Sequence, residues 1–305
     1  MDRREFLTTS LAAGAFAPLS HVRAEPLARP AHASDRFRLR YAPHFGMFRQ
    51  HAGDALIDQI RFMADAGFSA IEDHGLLAKP PGTINAIGRE LKRRNMTMGR
   101  FVAHPDYGDP TFASGRCDLQ DRVLSDMRRA VDVAARVGAR YCTVVPGKLD
   151  RRLPLSEQTA HAVDLLRSCI DVIEPAGLTL LLEPLHHATH EPSLFMHDMN
   201  QARLLCRAVG HPCCRILFDV YHERVAGRDP WASLLSVWDD VGYIQVGDNP
   251  GRKEPGSGTI DYRRLFSFLD ALGYTGPVGM EHGNSAPGKA GEQNVIAAYQ
   301  THDPR

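Results

Sequence analysis

From residue 37 onward the chain alternates short apolar runs with longer segments in which apolar residues recur every three or four positions. The runs are FRLRYAP (37–43), FSAIED (68–73), MTMGRFVAH (96–104) and RYCTVV (140–145), then LTLLLEP (178–184), RILFDV (215–220), VGYIQVGD (241–248) and GPVGMEH (276–282). Runs this short and this continuously apolar suit parallel strands covered on both faces. Between them, Leu56, Ile60 and Met63 fall at i, i+4 and i+7, one face of a helix. Residues 124–138, 161–177 and 262–276 carry the same period. Gly67, Gly138, Gly177 and Gly273 each sit just before a strand, as helix-terminating glycines do. Eight strand-then-helix units predict an α/β fold of the (β/α)8 TIM-barrel type. An open doubly wound sheet would want a glycine-rich phosphate loop after its first strand, and APHFGMF is not one.

The first 36 residues break this rhythm. MDRREFLTTSLAAGAFAPLSHVRA (1–24) starts charged, turns apolar and ends on Val22-x-Ala24. That order predicts an export signal cleaved near Ala24. Arg3-Arg4 points to the twin-arginine export machinery and hence to the periplasm. The apolar stretch from Leu11 to Leu19 is too short to span a bilayer. Residues 25–36 read as a flexible leader, and 37–305 as a single barrel domain. Lysine and arginine total 36, as do aspartate and glutamate, which removes any general electrostatic case for a nucleic-acid partner. The six cysteines form no C-x-x-C pair and read as mostly buried small hydrophobes rather than a disulfide framework. A homo-oligomer is left open.

The chemistry gathers at the ends of the later runs, which in a barrel share the active-site face. Glu183 ends the fifth run. Asp219 ends the sixth, with His222 three residues on. Gln245 lies in the seventh, with Asp248 and Arg252 following. Glu281 ends the eighth, followed by His282. Glu183, Asp219, Gln245 and Glu281 would bring three carboxylates and an amide oxygen to one ring. Such anions raise one another's pKa values unless a cation sits among them. All-oxygen donors favour one hard divalent ion, Mn2+ or Mg2+. The two glutamates would then flank a small-molecule substrate and shuttle a proton. His186, His187 and His190 follow Glu183 in one loop, where they either contact substrate or face solvent. His44, just after the first run, and His104, at the end of the third, carry the same alternatives.

The segments LLLEPLHH, FDVYHE, GYIQVGDNPGRKEPGSGTIDY and GYTGPVGMEHG resemble the xylose-isomerase-like TIM-barrel superfamily, and within it the hydroxypyruvate isomerase family. The resemblance runs in order from about residue 38 to 283. It implies that Glu183 and Glu281 are both metal ligands and the acid/base pair, and that Asp219 and Gln245 complete the metal shell. It also implies that His222 and Arg252 touch substrate, and Asp248 and His186 are taken with them. The implied reaction is aldose–ketose interconversion of a small hydroxy-carbonyl compound through a metal-held enediolate. The alternatives are C3 epimerisation of a free ketose, for which the related epimerases carry histidine where this chain has Gln245, and an exported sugar-binding barrel without turnover. The front half departs from the isomerase pattern at Glu72-Asp73-His74 and at HPDYGDPTFASGR, in loops that shape the substrate pocket.

Overall fold

A computed structural model describes residues 37–185 and 193–305. The expected export signal (1–24), the leader (25–36) and His186, His187 and His190 lie outside the described residues. The apolar runs become nine short strands. They are β1 Arg40–Ala42, β2 Ala70–Ile71, β3 Thr97–Met98, β4 Arg100–His104 and β5 Tyr141–Val144, then β6 Thr179–Leu182, β7 Cys214–Asp219, β8 Val241–Val246 and β9 Pro277–Met280. Every ladder is parallel. One sheet runs β1-β9-β8-β7-β6-β5-β4, and β2-β3 form a second. The Glu72 amide donates to the Pro43 carbonyl (3.0 Å), and the Asp73 amide reaches the Arg100 carbonyl (3.4 Å). These two contacts tie the small sheet to both edges of the large one, so the whole curls into the expected TIM barrel.

The third run was expected to be one strand and is two, because Gly99 changes neighbours. Its amide donates to the Ile71 carbonyl (2.6 Å), while β4 beyond it pairs with β5. A Cβ at Gly99 would lie 2.4 Å from the Tyr243 hydroxyl, so only glycine passes there.

The helices are α1 Arg49–Ala52, α2 Leu56–Asp65, α3 Pro81–Arg93, α4 Cys117–Val137 and α5 Leu155–Ile173, then α6 Met199–Val209, α7 Val220–Val225, α8 Pro230–Val237, α9 Tyr262–Ala271 and α10 Gly288–His302. On α4, Val123, Met127, Ala130, Ala134 and Val137 form the buried stripe, and Gly138 closes the helix at φ 69°. Among the described residues no helix is long and apolar enough to cross a membrane. All six cysteines are free, and Cys142, Cys169, Cys206 and Cys214 are buried, as small hydrophobes should be.

Strand alternation decides what faces the barrel interior. Leu181/Glu183, Leu217/Asp219, Tyr243/Gln245 and Gly279/Glu281 are i, i+2 pairs, so each candidate site residue stands above an inward neighbour. Leu181, Leu217 and Tyr243 are fully buried and pack together as a small cluster of their own. The alternate residues Leu180, Leu182, Ile216, Phe218, Ile244 and Val278 belong to the main core between sheet and helices. Gly279 contributes space: a Cβ there would lie 2.3 Å from Glu72 Oε2 and 2.8 Å from Gln245 Cγ. The barrel is plugged below by apolar side chains and carries its charges on top.

Candidate metal centre and active-site cavity

β7 runs directly into α7, and Asp219 serves both elements. Its Oδ1 accepts from the amides of Tyr221 (2.8 Å) and His222 (3.4 Å), capping the helix. That single turn folds His222 back over the same carboxylate, with Nε2 3.6 Å from Asp219 Oδ2 and 3.9 Å from Glu183 Oε1. Donor atoms of Glu183, Asp219 and His222 all lie within 4.8 Å of one another, the only such metal-binding set of histidine, cysteine and acidic side chains among the described residues. His222, expected at the substrate, joins the compact donor set. Glu281, expected as a ligand, is drawn to two guanidinium groups, with Oε2 3.2 Å from both Arg100 Nη2 and Arg252 Nη2.

Gln245 stands beside Asp219 in the β7–β8 register. It is fully buried, its Nε2 donates to Glu72 Oε1 (2.9 Å), and its Oε1 has no hydrogen-bond partner. An unpaired buried acceptor is costly. A divalent ion suits an amide oxygen set among carboxylates, so the donors present fit a metal.

Arg252 reaches the site from the loop after β8. Its Nη2 lies 2.8 Å from Asp219 Oδ2, and its guanidinium stacks 4.8 Å from the Tyr221 ring centre. Asp248, expected among the substrate contacts, has its carboxylate engaged by its own loop. Its Oδ1 accepts from the amides of Asn249 and Ile260, and its Oδ2 from those of Gly256 and Gly258, at 2.8–3.1 Å. Four donors occupy the carboxylate, so Asp248 shapes the loop that presents Arg252.

Sequence reasoning missed Arg100. The residue is buried, with Nη2 3.9 Å from Glu183 Oε2 and Nε 3.9 Å from Glu72 Oε2, besides its contact with Glu281. Glu72 is also fully buried, accepting from the Tyr243 hydroxyl (3.1 Å) and lying 3.3 Å from His74 Nε2. The signal was present: Arg100 interrupts MTMGRFVAH as sharply as Glu183 ends TLLLEP.

The two candidate proton carriers experience opposite fields. Burial, and then the charge of Glu281, push Glu183 up to about 8 against the opposing pull of Arg100. Burial also acts to raise Glu281, but Arg100 and Arg252, helped by His74 and His222, outweigh it and hold it down at about 2. A cation beside Glu183 would relieve the strain on its ionised form.

These groups open onto a cavity of about 520 Å3, within the range of small-molecule sites. Glu183, His222, Arg252 and Glu281 line one part, with Arg100 and His74 continuing the wall. Leu77, Ala78, Tyr107, Asp126 and Arg129 line another.

A family profile described as xylose isomerase-like TIM barrel matches residues 60–301. Hydroxypyruvate isomerase from Escherichia coli (strain K12) is 31% identical over 166 residues, covering 53% of this chain and 62% of that protein. The 2-oxo-tetronate isomerase of Cupriavidus necator is 26% identical over 259 residues, covering 83% of this chain and 95% of that protein. D-Psicose 3-epimerase from Clostridium cellulolyticum H10, solved with D-tagatose, superposes with a TM-score of 0.67 at 15% identity, over 87% of this chain and 96% of that one.

Proposed function

The chain belongs to the xylose isomerase-like TIM-barrel family, and we propose that it is a metal-dependent isomerase or epimerase of polyhydroxy-carbonyl compounds. One observation carries this reading. Glu183 and Glu281, following β6 and β9, reach one cavity and share Arg100 at 3.9 and 3.2 Å. Moving a proton on a carbon next to a carbonyl needs a base to take it and an acid to return it. The two carboxylates fill these roles from their places in one cavity. Arg100 and Arg252 keep Glu281 ionised. A divalent ion held by Glu183, Asp219 and His222, with Gln245 Oε1 as a further acceptor, would polarise the substrate carbonyl when bound. The mixed oxygen and imidazole donors favour Mn2+ over Mg2+.

Two substrates of this chemistry compete. The E. coli relative is named for isomerising hydroxypyruvate, and the C. cellulolyticum protein of like fold for epimerising a ketose. At the ~30 Å3 a water occupies, a three-carbon acid would fill less than half of the 520 Å3 cavity. We therefore rank epimerisation of a free ketose ahead of hydroxypyruvate isomerisation. A barrel without turnover accounts poorly for two partly buried glutamates facing one cavity.

Incubation in heavy water with Mn2+ tests the reading. Deuterium should enter a carbon next to the carbonyl of a ketose, and Glu183→Gln and Glu281→Gln should each slow this by roughly 10²-fold or more. Uptake into no hydroxy-carbonyl compound, or undiminished uptake in both variants, defeats the proposal. We further propose export to the periplasm with cleavage near Ala24. N-terminal sequencing of the protein from its native host should start near Glu25, and a chain keeping Met1 or Asp2 would count against export.

A further inference from the structure

Three arginines line the cavity, and each is already matched to a carboxylate. Arg100 Nε lies 3.9 Å from Glu72, Arg252 Nη2 3.2 Å from Glu281, and Arg129 Nη1 3.0 Å from Asp126. His74, also in the wall, lies 3.3 Å from Glu72. Glu183 and Asp219 together neutralise the two charges of a divalent ion. A substrate phosphate or carboxylate would therefore have to break an existing pair, next to the carboxylates of Glu183 and Glu281, which repel it.

The part of the cavity built from α4 and the turn Leu76–Ala78 has a different character. Asp126 is held on both oxygens: Oδ2 contacts His104 Nδ1 at 2.8 Å, and Oδ1 accepts from Arg129 Nη1 at 3.0 Å. His104 is buried and holds that carboxylate from behind. Arg129 Nη2 lies 3.5 Å from the Leu77 carbonyl. Tyr107, from the loop after β4, lines the same space and is exposed as a residue to 48%. A carboxylate with spare lone pairs, a guanidinium with spare N–H donors and a flat aromatic face match a sugar ring: adjacent hydroxyls for the polar pair, a C–H face for the tyrosine. Since aspartate and arginine cancel in charge, the match is to neutral hydroxyls.

We infer that the substrate is an uncharged glycosylated ketose, with its carbonyl unit at the metal cluster and a second sugar unit seated on Asp126, Arg129 and Tyr107. This rests on the proton-transfer reading above for the carbonyl end. It adds what that reading does not specify, namely the absence of charge and the second unit.

Calorimetric titration of the full chain with Mn2+ tests the subsite. Isomaltulose (a glucosyl-fructose) should bind at least about tenfold tighter than fructose, a difference of ~1.4 kcal/mol. Tyr107→Ala, at an exposed position, and Asp126→Asn should each erase that difference and leave fructose unchanged. Equal affinity for the two sugars, or variants that weaken both alike, overturns the inference. Heavy-water exchange on the same probes separates it from the parent reading. Exchange of hydroxypyruvate faster than of either sugar overturns the uncharged substrate while proton transfer stands. Exchange in none of them, with the isomaltulose preference intact, defeats proton transfer and keeps the subsite.

Discussion

Glu183 and Glu281 share a side chain and differ in company, because Arg100 and Arg252 both close on Glu281 at 3.2 Å. Arg100 lies 3.2 Å from Glu281 and 3.9 Å from both Glu183 and Glu72. Removing one partner from buried charges leaves the others unpaired, at about 3–5 kcal/mol. Arg100→Met should therefore lower unfolding stability by roughly that amount in the metal-free protein, and Arg100→Lys by less. Urea titration of the three forms decides, and equal midpoints would remove Arg100 from the network. A second residue-scale effect concerns His282. Burial holds its imidazole down at about 3, with Nε2 2.8 Å from the Tyr299 hydroxyl and Nδ1 3.0 Å from the Gly283 carbonyl. Unfolded, it titrates near ~6.5. Between those values the unfolded chain binds more protons, so its contribution is complete above ~6.5 and is lost as pH falls toward 3, by up to ~1.4 kcal/mol per pH unit. His282→Gln should flatten the stability profile between pH 6.5 and 4, and parallel profiles would contradict this. Single residues were legible in the sequence where a charge stood at the end of an apolar run, as at Glu183 and Asp219. Gln245 stood out only as one of a series. The placing of His222 beside Glu183 and Asp219 was hidden, since it depends on a helix starting at Asp219 itself.

At the scale of elements, β7 and α7 meet in one carboxylate, so Asp219 has two separable jobs. Asp219→Asn keeps an acceptor for the amides of Tyr221 and His222 and loses the negative charge. Asp219→Ala loses both, with about 1 kcal/mol for the cap alone. Metal content should therefore fall in both variants, whereas helix stability should fall only in the alanine. Equal thermal stability of the two apo variants would show the cap to be idle. β9 permits a sharper test. Gly279→Ala would put a methyl 2.3 Å from Glu72 Oε2, and forced overpacking costs about 1–3 kcal/mol. The variant should lose stability and also catalytic geometry, because Gln245 and Glu72 move together. The runs themselves were legible because parallel strands covered on both faces are continuously apolar. Their ends were less so. α4 starts at Cys117, ahead of the expected 124, and Leu119 and Val123 carry the buried stripe through its first two turns, so the helical period extends further back than the segment first read as helix. The split at Gly99 answers to the Tyr243 hydroxyl, 143 residues away from Arg100 along the chain, and no local pattern reports a contact of that range.

For the molecule as a whole, the barrel was readable because one rhythm recurs around it, and the active face because barrels place their chemistry at the carboxyl ends of the strands. What could not be read was the balance of charge across that face, which is set by side chains from β2, β4, β6, β7 and β9 meeting in three dimensions. That balance yields the broadest prediction. Glu72, Glu183, Asp219 and Glu281 face the fixed charges of Arg100 and Arg252 and the imidazoles of His74 and His222, so the metal-free face carries excess negative charge unless protons on those imidazoles or on the carboxylates compensate. Burial and Glu281 already push Glu183 up to about 8. A divalent ion binds the folded arrangement and finds no preassembled donors in the unfolded chain, so it stabilises by mass action, about 2.7 kcal/mol at a hundredfold excess over Kd. For a chain of this size each kcal/mol moves the melting temperature by about 2–4 °C. Saturating Mn2+ should thus raise Tm by roughly 5–10 °C, and a chelator should reverse it. Asp219→Ala should melt at the same temperature with and without Mn2+, while Asp126→Asn, outside the donor set, should keep the full shift. If Mn2+ leaves wild-type Tm unchanged at every concentration, the cluster of Glu183, Asp219 and His222 is a hydrogen-bonded acid–histidine network and not a metal centre. If Asp219→Ala shifts as the wild type does, the ion binds elsewhere.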